Sequence, residues 1–316
     1  MLMQETPSLA MGIFALVQAI ILLAMTPLMT GISRQIRARM QSRRGPGIWQ
    51  DYRDLGKLFK RQEVGPAQSG IIFRLMPYVL LGSMLLVAMS LPVFTQTAPF
   101  GGAGDLIALL YLFALFRFFF SLSGLDTGST FAGIGASREL TLGILVEPTL
   151  ILALLVVALI AGSTNIGTIS ATLTQGWSSP TATFLALLAC GFTAFIEMGK
   201  IPFDVAEAEQ ELQEGPLTEY SGSGLALVKW GISLKQVVVA ELFLAVFIPF
   251  GKAATLSASA LFFALILMLI KLLVVFVLAS LVENSLARGR FLMTHRVTWL
   301  GFGVAALAFV FYLTGL

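Results

Sequence analysis

The sequence is poor in the residues that hold redox centres. In 316 residues it has one cysteine, Cys190, and one histidine, His295. Iron–sulfur clusters, structural zinc sites and bis-histidine haems each need several such ligands. The scarcity excludes all three within this chain alone, so any redox centre of a reaction it serves must be held by partner chains. We expect Cys190 to pack inside a helix and His295 to lie in a solvated loop.

Charged residues are also scarce. They make up 12% of the chain, whereas apolar residues make up 57%, above the roughly 45–50% of soluble globular proteins. Runs of about 20 apolar residues are typical of membrane-spanning helices. The sequence therefore predicts an all-α integral membrane protein, with residues 1–316 forming one membrane domain. Eight spans are predicted, at about 10–30, 72–94, 105–124, 141–162, 181–199, 235–250, 257–282 and 297–315.

Positive charge is distributed unevenly between the two ends of these spans. Sixteen lysines and arginines fall in four alternate connections, and the opposite connections and both termini contain only Lys252. Because basic residues stay on the cytoplasmic side, the charged connections, chiefly 31–71 and 200–234, are predicted to be cytoplasmic and both termini to lie outside. No basic residue precedes the first apolar run, which we therefore interpret as a true span and not a cleavable signal.

The connection 31–71 carries nine cations. Within it Ile48, Tyr52, Leu55 and Phe59 recur at helical spacing, with Arg53 and other cations on a different face. This pattern predicts an amphipathic cytoplasmic helix at the membrane interface. The basic charge contacts either anionic lipid or an acidic partner.

Residues 197–222, EMGKIPFDVAEAEQELQEGPLTEYSG, form what we call the acidic segment. Pro202 suits a helix start and Gly215-Pro216 a helix end, so the sequence predicts a cytoplasmic helix between them. On such a helix Asp204, Glu207, Glu211 and Glu214 would form one stripe. We expect the stripe to face basic groups or line a polar cavity; the alternative is a solvated face.

Ionisable residues inside membrane spans are costly and are candidates for function. Buried carboxylates have raised pKa values and can exchange protons near neutral pH. The candidates for a proton relay are the carboxylates of the spans and of the acidic segment together with one lysine: Glu139, Glu147, Glu197, Asp204, Glu207, Glu209, Glu211, Glu214, Glu241 and Lys271. The alternative is a set of structural ion pairs, such as Glu241 with Lys271.

Three stretches carry a resemblance to a known family: RRGPGIWQ at 43–50, GASRE at 135–139 and the acidic segment. They resemble the membrane subunit that joins the two arms of respiratory complex I, and its counterparts in membrane-bound nickel–iron hydrogenases. The stretch GLDTGSTFAGIGASRELTLGILVEP at 124–148 is similar to the formate hydrogenlyase type. Leu145-Val146-Glu147 departs from the Ser-Tyr-Glu usual in complex I.

The resemblance implies a cofactor-free anchor and coupling subunit in a bacterial inner membrane, not catalytic alone. The nickel–iron centre and iron–sulfur clusters would lie in partners: the hydrogenase large subunit, the small iron–sulfur subunit and antiporter-like membrane subunits. It implies contact with the lipid bilayer and none with nucleic acid. Candidate residues for partner docking or for a quinone-like cavity are Arg43, Arg44, Lys200, Glu219, Arg138 and Arg117. The alternatives are the quinone-chamber subunit of complex I and a self-contained secondary transporter, although the sequence has no internal repeat of the kind that transporters show.

Overall fold

The computed structural model describes residues 9–99, 104–287, 289, 291 and 294–315. Within these ranges the regular structure is entirely helical, apart from two isolated β-bridges between loops. The helices are α1 Leu9–Met40, α2 Gln50–Phe59, α3 Ile71–Ser90, α4 Leu106–Asp126, α5 Thr130–Ala161, α6 Ile166–Gln175, α7 Pro180–Glu197, α8 Glu209–Leu212, α9 Gly222–Phe247, α10 Ala258–Ser285 and α11 Thr294–Thr314. The predicted all-α class is confirmed.

Eight helices in the described ranges are long and apolar enough to cross a membrane: α1, α3, α4, α5, α7, α9, α10 and α11. They match the eight predicted spans, and the protein is a multi-pass membrane protein. Helix α9 is the most enclosed, with 72% of its apolar stretch buried, against 22% in α10 and in α11. It packs against α3 and α1, while α11 packs against α5 and α7. Helix α9 is therefore the central helix.

Several helix ends are set by recognisable local signals. Pro180 stands in the first turn of α7, where its missing N–H costs no hydrogen bond. The Asn165 side chain caps α6 by accepting from the backbone N–H of Gly167 at 2.9 Å. The Asp126 carboxylate, at the end of α4, accepts from the N–H groups of Gly70 and Phe73 and so caps α3. This last cap ties the entry of α3 to the exit of α4.

The predicted amphipathic helix is present as α2. Asp51 on its buried face binds Arg34 of α1 at 2.6 Å, and the hydroxyl of Thr30 donates to the same carboxylate. Phe59 meets Trp230 of α9 edge to face. The helix therefore rests on α1 and α9, with basic residues such as Arg53 exposed.

The acidic segment differs from its prediction. Its only helix within the described residues is α8, four residues long, followed by a 3-10 turn at Gly215–Glu219. Ala208, Gln213 and Glu214 all have positive φ, which interrupts an α-helix. The single stripe predicted for Asp204, Glu207, Glu211 and Glu214 is therefore wrong. Burial of apolar side chains, including Phe203, Val205 and Leu212, overrides the helical spacing of the carboxylates.

Two helices also begin earlier than the apolar pattern predicts. Helix α9 starts at Gly222, well before the predicted boundary at 235, and therefore contains Lys229 and Lys235. Helix α5 starts at Thr130, so Arg138 and Glu139 lie on a helix and not in a loop. In the sequence, charged residues next to an apolar run predict that the span has ended and a loop has begun. Each of these four residues has an ion-pair partner in the folded chain. Lys235 and Glu139 pair inside the bundle with Glu197 and Arg117, whereas Lys229 and Arg138 pair with Glu214 and Glu211 of the acidic segment.

Candidate functional site

An arginine in the interior of the bundle organises the site. Arg117 of α4 is 5% exposed and lies about nine residues, or roughly 13 Å, before the end of its helix. Its Nε donates to Glu139 at 3.2 Å, and its two terminal nitrogens donate to Glu147 and Glu197. A guanidinium stays charged and offers five donors in a fixed plane, which suits it to bridging three carboxylates.

Helix α5 presents two of these carboxylates with a glycine between them. Glu139, Gly143 and Glu147 are four residues apart in succession and so share one face. A Cβ at Gly143 would lie 2.6 Å from Cδ and 2.8 Å from Nε of Arg117. The glycine is therefore what allows the guanidinium to lie directly across α5.

The third carboxylate connects Arg117 to the central helix. Glu197 ends α7 and is buried, and its second oxygen lies 2.9 Å from Nζ of Lys235 on α9. Lys235 also lies over the ring of Phe116, 5.2 Å from its centroid. Four helices, α4, α5, α7 and α9, are thus joined by one chain of ion pairs. We call Arg117, Glu139, Glu147, Glu197 and Lys235 the Arg117 network.

The Arg117 network borders a cavity of about 100 Å³. Glu139, Glu197, Asp204 and Glu207 contribute carboxylates to its lining, and Arg117 and Lys235 contribute the cations. The volume has room for several water molecules. Four of the predicted relay carboxylates thus line one space, and Glu147 reaches Arg117 beside it.

Glu207 of the acidic segment lies where its surroundings favour protonation. Burial, followed by the negative charges of Glu214, Glu139 and Asp204, raises the pKa of Glu207 to about 7, against a smaller opposing effect of Lys229. A carboxyl with a pKa near neutrality can take up and release protons under physiological conditions. Glu207 lines the cavity, and we expect it to exchange protons there.

Two other carboxylates of the segment pair with neighbouring helices. Glu211 binds Arg138 of α5 at 2.7 Å, and Glu214 lies 3.6 Å from Lys229 of α9. The described ion pairs of these two residues come from α5 and α9, which hold the segment over the cavity.

A second charged cluster was not predicted from the sequence. Glu283 of α10 is 3% exposed; it binds Arg37 of α1 and lies 3.8 Å from Nζ of Lys200. Burial lowers the pKa of Lys200, and the charge of Glu283 opposes this effect. Lys200 was predicted as a docking residue and is buried here. Glu283 lies near the end of an apolar run, and only its charge could have marked it as a candidate in the sequence.

The remaining candidates lie apart from the Arg117 network. Glu241 and Lys271 border a smaller cavity near the other end of α9. Arg43 and Arg44 are exposed between α1 and α2, and Glu219 is partly buried in the 3-10 turn. The side chain of Glu209 is outside the described part of the chain. The roles of all the candidates remain predictions.

The site is made of carboxylates and cations grouped around one small cavity. Across the described residues, no group of three or more His, Cys, Asp or Glu side chains is placed to hold a metal ion. The network instead combines three carboxylates with two cations, and the cavity adds Asp204 and Glu207. A surplus of carboxylates around a cavity large enough for water can hold an exchangeable proton.

Comparisons with known proteins agree with the resemblance carried by the motifs. The family model described as NADH dehydrogenase matches residues 13–314. Hydrogenase-4 component C of Escherichia coli K12 is 73% identical, over 96% of each chain. Formate hydrogenlyase subunit 4 of the same organism is 57% identical, over 94% of this chain and 97% of the relative.

A solved structure has the same fold. It is a chain of the membrane-bound sulfane sulfur reductase, an archaeal respiratory membrane complex, and it superposes with a TM-score of 0.85. The match covers 96% of this chain and 100% of the other at 24% identity, which supports the fold alone. The chain therefore belongs to the NADH dehydrogenase family, in which its similar relatives include hydrogenase-4 component C and formate hydrogenlyase subunit 4.

Proposed function

We propose that this protein is the membrane anchor and coupling subunit of a formate hydrogenlyase complex and is not catalytic alone. The observation that carries the proposal is its similarity, over nearly its whole length, to hydrogenase-4 component C and formate hydrogenlyase subunit 4. Its partners would be the hydrogenase large subunit, the small iron–sulfur subunit and antiporter-like membrane subunits. These partners would hold the nickel–iron centre and the iron–sulfur clusters.

The acidic segment and the basic connection between α1 and α2 form the docking face in this proposal. Both lie at the end of the bundle where nearly all the cations gather, and in this proposal that end faces the cytoplasm of a bacterial inner membrane. The exposed Arg43 and Arg44 would contact the soluble hydrogenase arm. The Arg117 network lies directly beneath the acidic segment.

Coupling would act through the Arg117 network. A proton gained by Glu207 would remove a negative charge that acts on Glu139, and would so shift the guanidinium of Arg117 among its three carboxylates. Because Glu197 also holds Lys235, the shift reaches α9, the central helix. A change at the docking face is thereby transmitted into the bundle and toward membrane partners.

The cavity favours water over a quinone. Pockets for small organic ligands usually measure about 300–1,000 Å³, whereas this one measures about 100 Å³. Within this chain the space suits a hydrated proton path. A quinone-reducing complex of the complex I type is therefore an outcome of the test below and not the proposal.

The test is purification of the tagged full chain from native membranes in mild detergent. We expect nickel and the hydrogenase large and small subunits to co-purify. Arg43→Glu places a negative charge on the docking face and should release them. Gln175→Glu, which adds a negative charge at the exposed end of α6 on the opposite face, is the matched control and should retain them.

The proposal fails if the chain purifies alone and transports a solute by itself. Recovery of quinone-reducing subunits without nickel would instead identify a complex I-type assembly. Equal retention of partners by both charge variants would refute Arg43 as a docking residue.

A further inference from the structure

A second cavity lies at the end of α9 opposite the acidic segment. Glu241 of α9, Lys252 of the following loop and Lys271 of α10 contribute its charged lining. Its volume is about 10 Å³, which is close to the space that one water molecule needs. Glu241 is 4% exposed, so its carboxylate is enclosed in the bundle.

The two lysines point their ammonium groups at the C-terminal end of α9. Lys252 Nζ donates to the Ser170 hydroxyl at 2.9 Å and to the Ala245 carbonyl at 3.3 Å. Lys271 Nζ donates to the carbonyls of Ile248, at 2.8 Å, and Phe250. The carbonyls of Ala245 and Ile248 lie at the C-terminal end of α9 and carry the negative end of the helix dipole, so cations there stabilise the helix end.

The lysines therefore leave part of the carboxylate without a partner. Among the described residues, Oε1 of Glu241 is buried and accepts no hydrogen bond. A buried carboxylate oxygen without a donor is strongly unfavourable, and water commonly fills such a place. The cavity beside Glu241 fits that water. A metal cation fits poorly, because two ammonium groups would repel it.

An apolar turn separates this cavity from the one beneath the acidic segment. Gln236 lines the first cavity and Glu241 the second. Between them lie the buried residues 237–240, Val-Val-Val-Ala, which span about 6 Å of helix. Helix α9 thus carries a polar site on each side of the buried apolar turn 237–240, which we call the dry turn.

We propose that Glu241 is the proton-exchange group of an outward-facing half-site, reached by water past Lys252 and closed toward the Arg117 network by residues 237–240. Protons from the outer side bind the free oxygen of Glu241 and leave from it by the same route. The groups facing Glu241 are the ammonium groups of Lys252 and Lys271, with the Ser170 hydroxyl next to Lys252.

Lys252 has a property that suits this path. Burial lowers its pKa to about 7; the charge of Glu241 opposes the shift and that of Lys271 adds to it. A lysine with a pKa near neutrality exchanges protons at physiological pH. Lys252 lines the same cavity as Glu241 and, in this proposal, passes protons to and from it.

The structural test is thiol accessibility in membrane vesicles. Cys190 is the only cysteine, so Cys190→Ala gives a background without thiols. Single cysteines are placed at Glu241, Lys252 and Val238 and exposed to silver ions, which are small enough for the cavity, in chloride-free buffer. Thiols that have not reacted are then labelled with a maleimide after denaturation.

We expect silver to abolish maleimide labelling of E241C and K252C in right-side-out vesicles and not in inverted ones. V238C, in the dry turn, should keep its labelling in both. If E241C does not accumulate, K252C and V238C still decide the question. A protected V238C, or a K252C that silver reaches only from the inner side, overturns the outward half-site.

The functional test uses the intact complex and rests on the proposed function. E241Q should keep hydrogen evolution from formate and lose formate-driven proton movement across the membrane. An unchanged proton movement in E241Q, or none in the wild type, overturns the exchange role. Thiol accessibility needs no hydrogenase partner, so the half-site and the proposed function can fail separately.

Discussion

Replacing Gly143 by alanine should destabilise the protein, although alanine is the better helix former. An alanine Cβ would lie 2.6, 2.8 and 2.9 Å from three atoms of the Arg117 side chain, whereas carbon atoms normally pack about 3.5–4.0 Å apart. The guanidinium cannot retreat freely, because Glu139, Glu147 and Glu197 hold it from different sides.

The magnitude follows from two opposing effects. Alanine in place of a helical glycine gains about 1 kcal/mol. Overpacking costs about 1–3 kcal/mol, and the loss of one charged hydrogen bond about 1.5–3 kcal/mol more. The net expectation is a loss of about 2–5 kcal/mol in the free energy of unfolding.

Gly133, on the same helix, provides the matched control. A Cβ at Gly133 meets no atom within 4 Å, so Gly133→Ala should be neutral or stabilising by up to about 1 kcal/mol. The assay is reversible unfolding of the purified chain in mixed micelles with increasing SDS. Equal stability of the two variants would refute the claim that Arg117 is held tightly across α5.

Three further predictions concern the same region. Arg117→Met leaves three carboxylates with one cation and should cost about 3–5 kcal/mol in the same assay, whereas Arg74→Met, at an exposed position on α3, should cost little. Because the folded-state pKa of Glu207, about 7, lies above its unfolded value, stability should fall as pH rises from about 4.5 through 7. Glu207→Gln should flatten that pH profile, and an unchanged profile would assign it to other groups. Gly135→Ala would place a Cβ 2.7 Å from the Ala206 carbonyl and should lift the acidic segment, which protease cleavage within 201–214 would report.

The eight spans were predictable because lipid imposes a simple rule. A segment in hydrocarbon must be helical, about 20 residues long and apolar, and each of the eight runs satisfied it. The errors lie where charge enters a helix. Lys235 marked a loop boundary in the sequence, yet it sits inside α9 because Glu197, 38 positions earlier, neutralises it. Such a pairing depends on tertiary contact, which spacing along the chain does not encode.

In the acidic segment the sequence predicted more helix than the structure has. Its carboxylates repeat at helical spacing, which predicted a helix over 202–214, but only Glu209–Leu212 is helical. The deciding contacts are made by small residues: Gly215 lies against the Ala206 carbonyl, and Gly135 of α5 lies beneath both. These close approaches fold the segment into a compact loop. The spacing of the carboxylates along the chain could not predict these close contacts.

The fold explains why the sequence identified the candidate carboxylates but did not predict which of them lie together. A charged side chain in a membrane span costs free energy, so the carboxylates within the spans were recognisable in the sequence. Their grouping depends on Arg117, which can bridge three helices because Gly143 leaves room on α5 and because Glu197 ends α7 at the same depth. Removing that room should therefore disturb all three carboxylates together. For this reason we expect Gly143→Ala and Arg117→Met to be non-additive when they are combined, since the side chain that an alanine at 143 would displace is already gone in Arg117→Met.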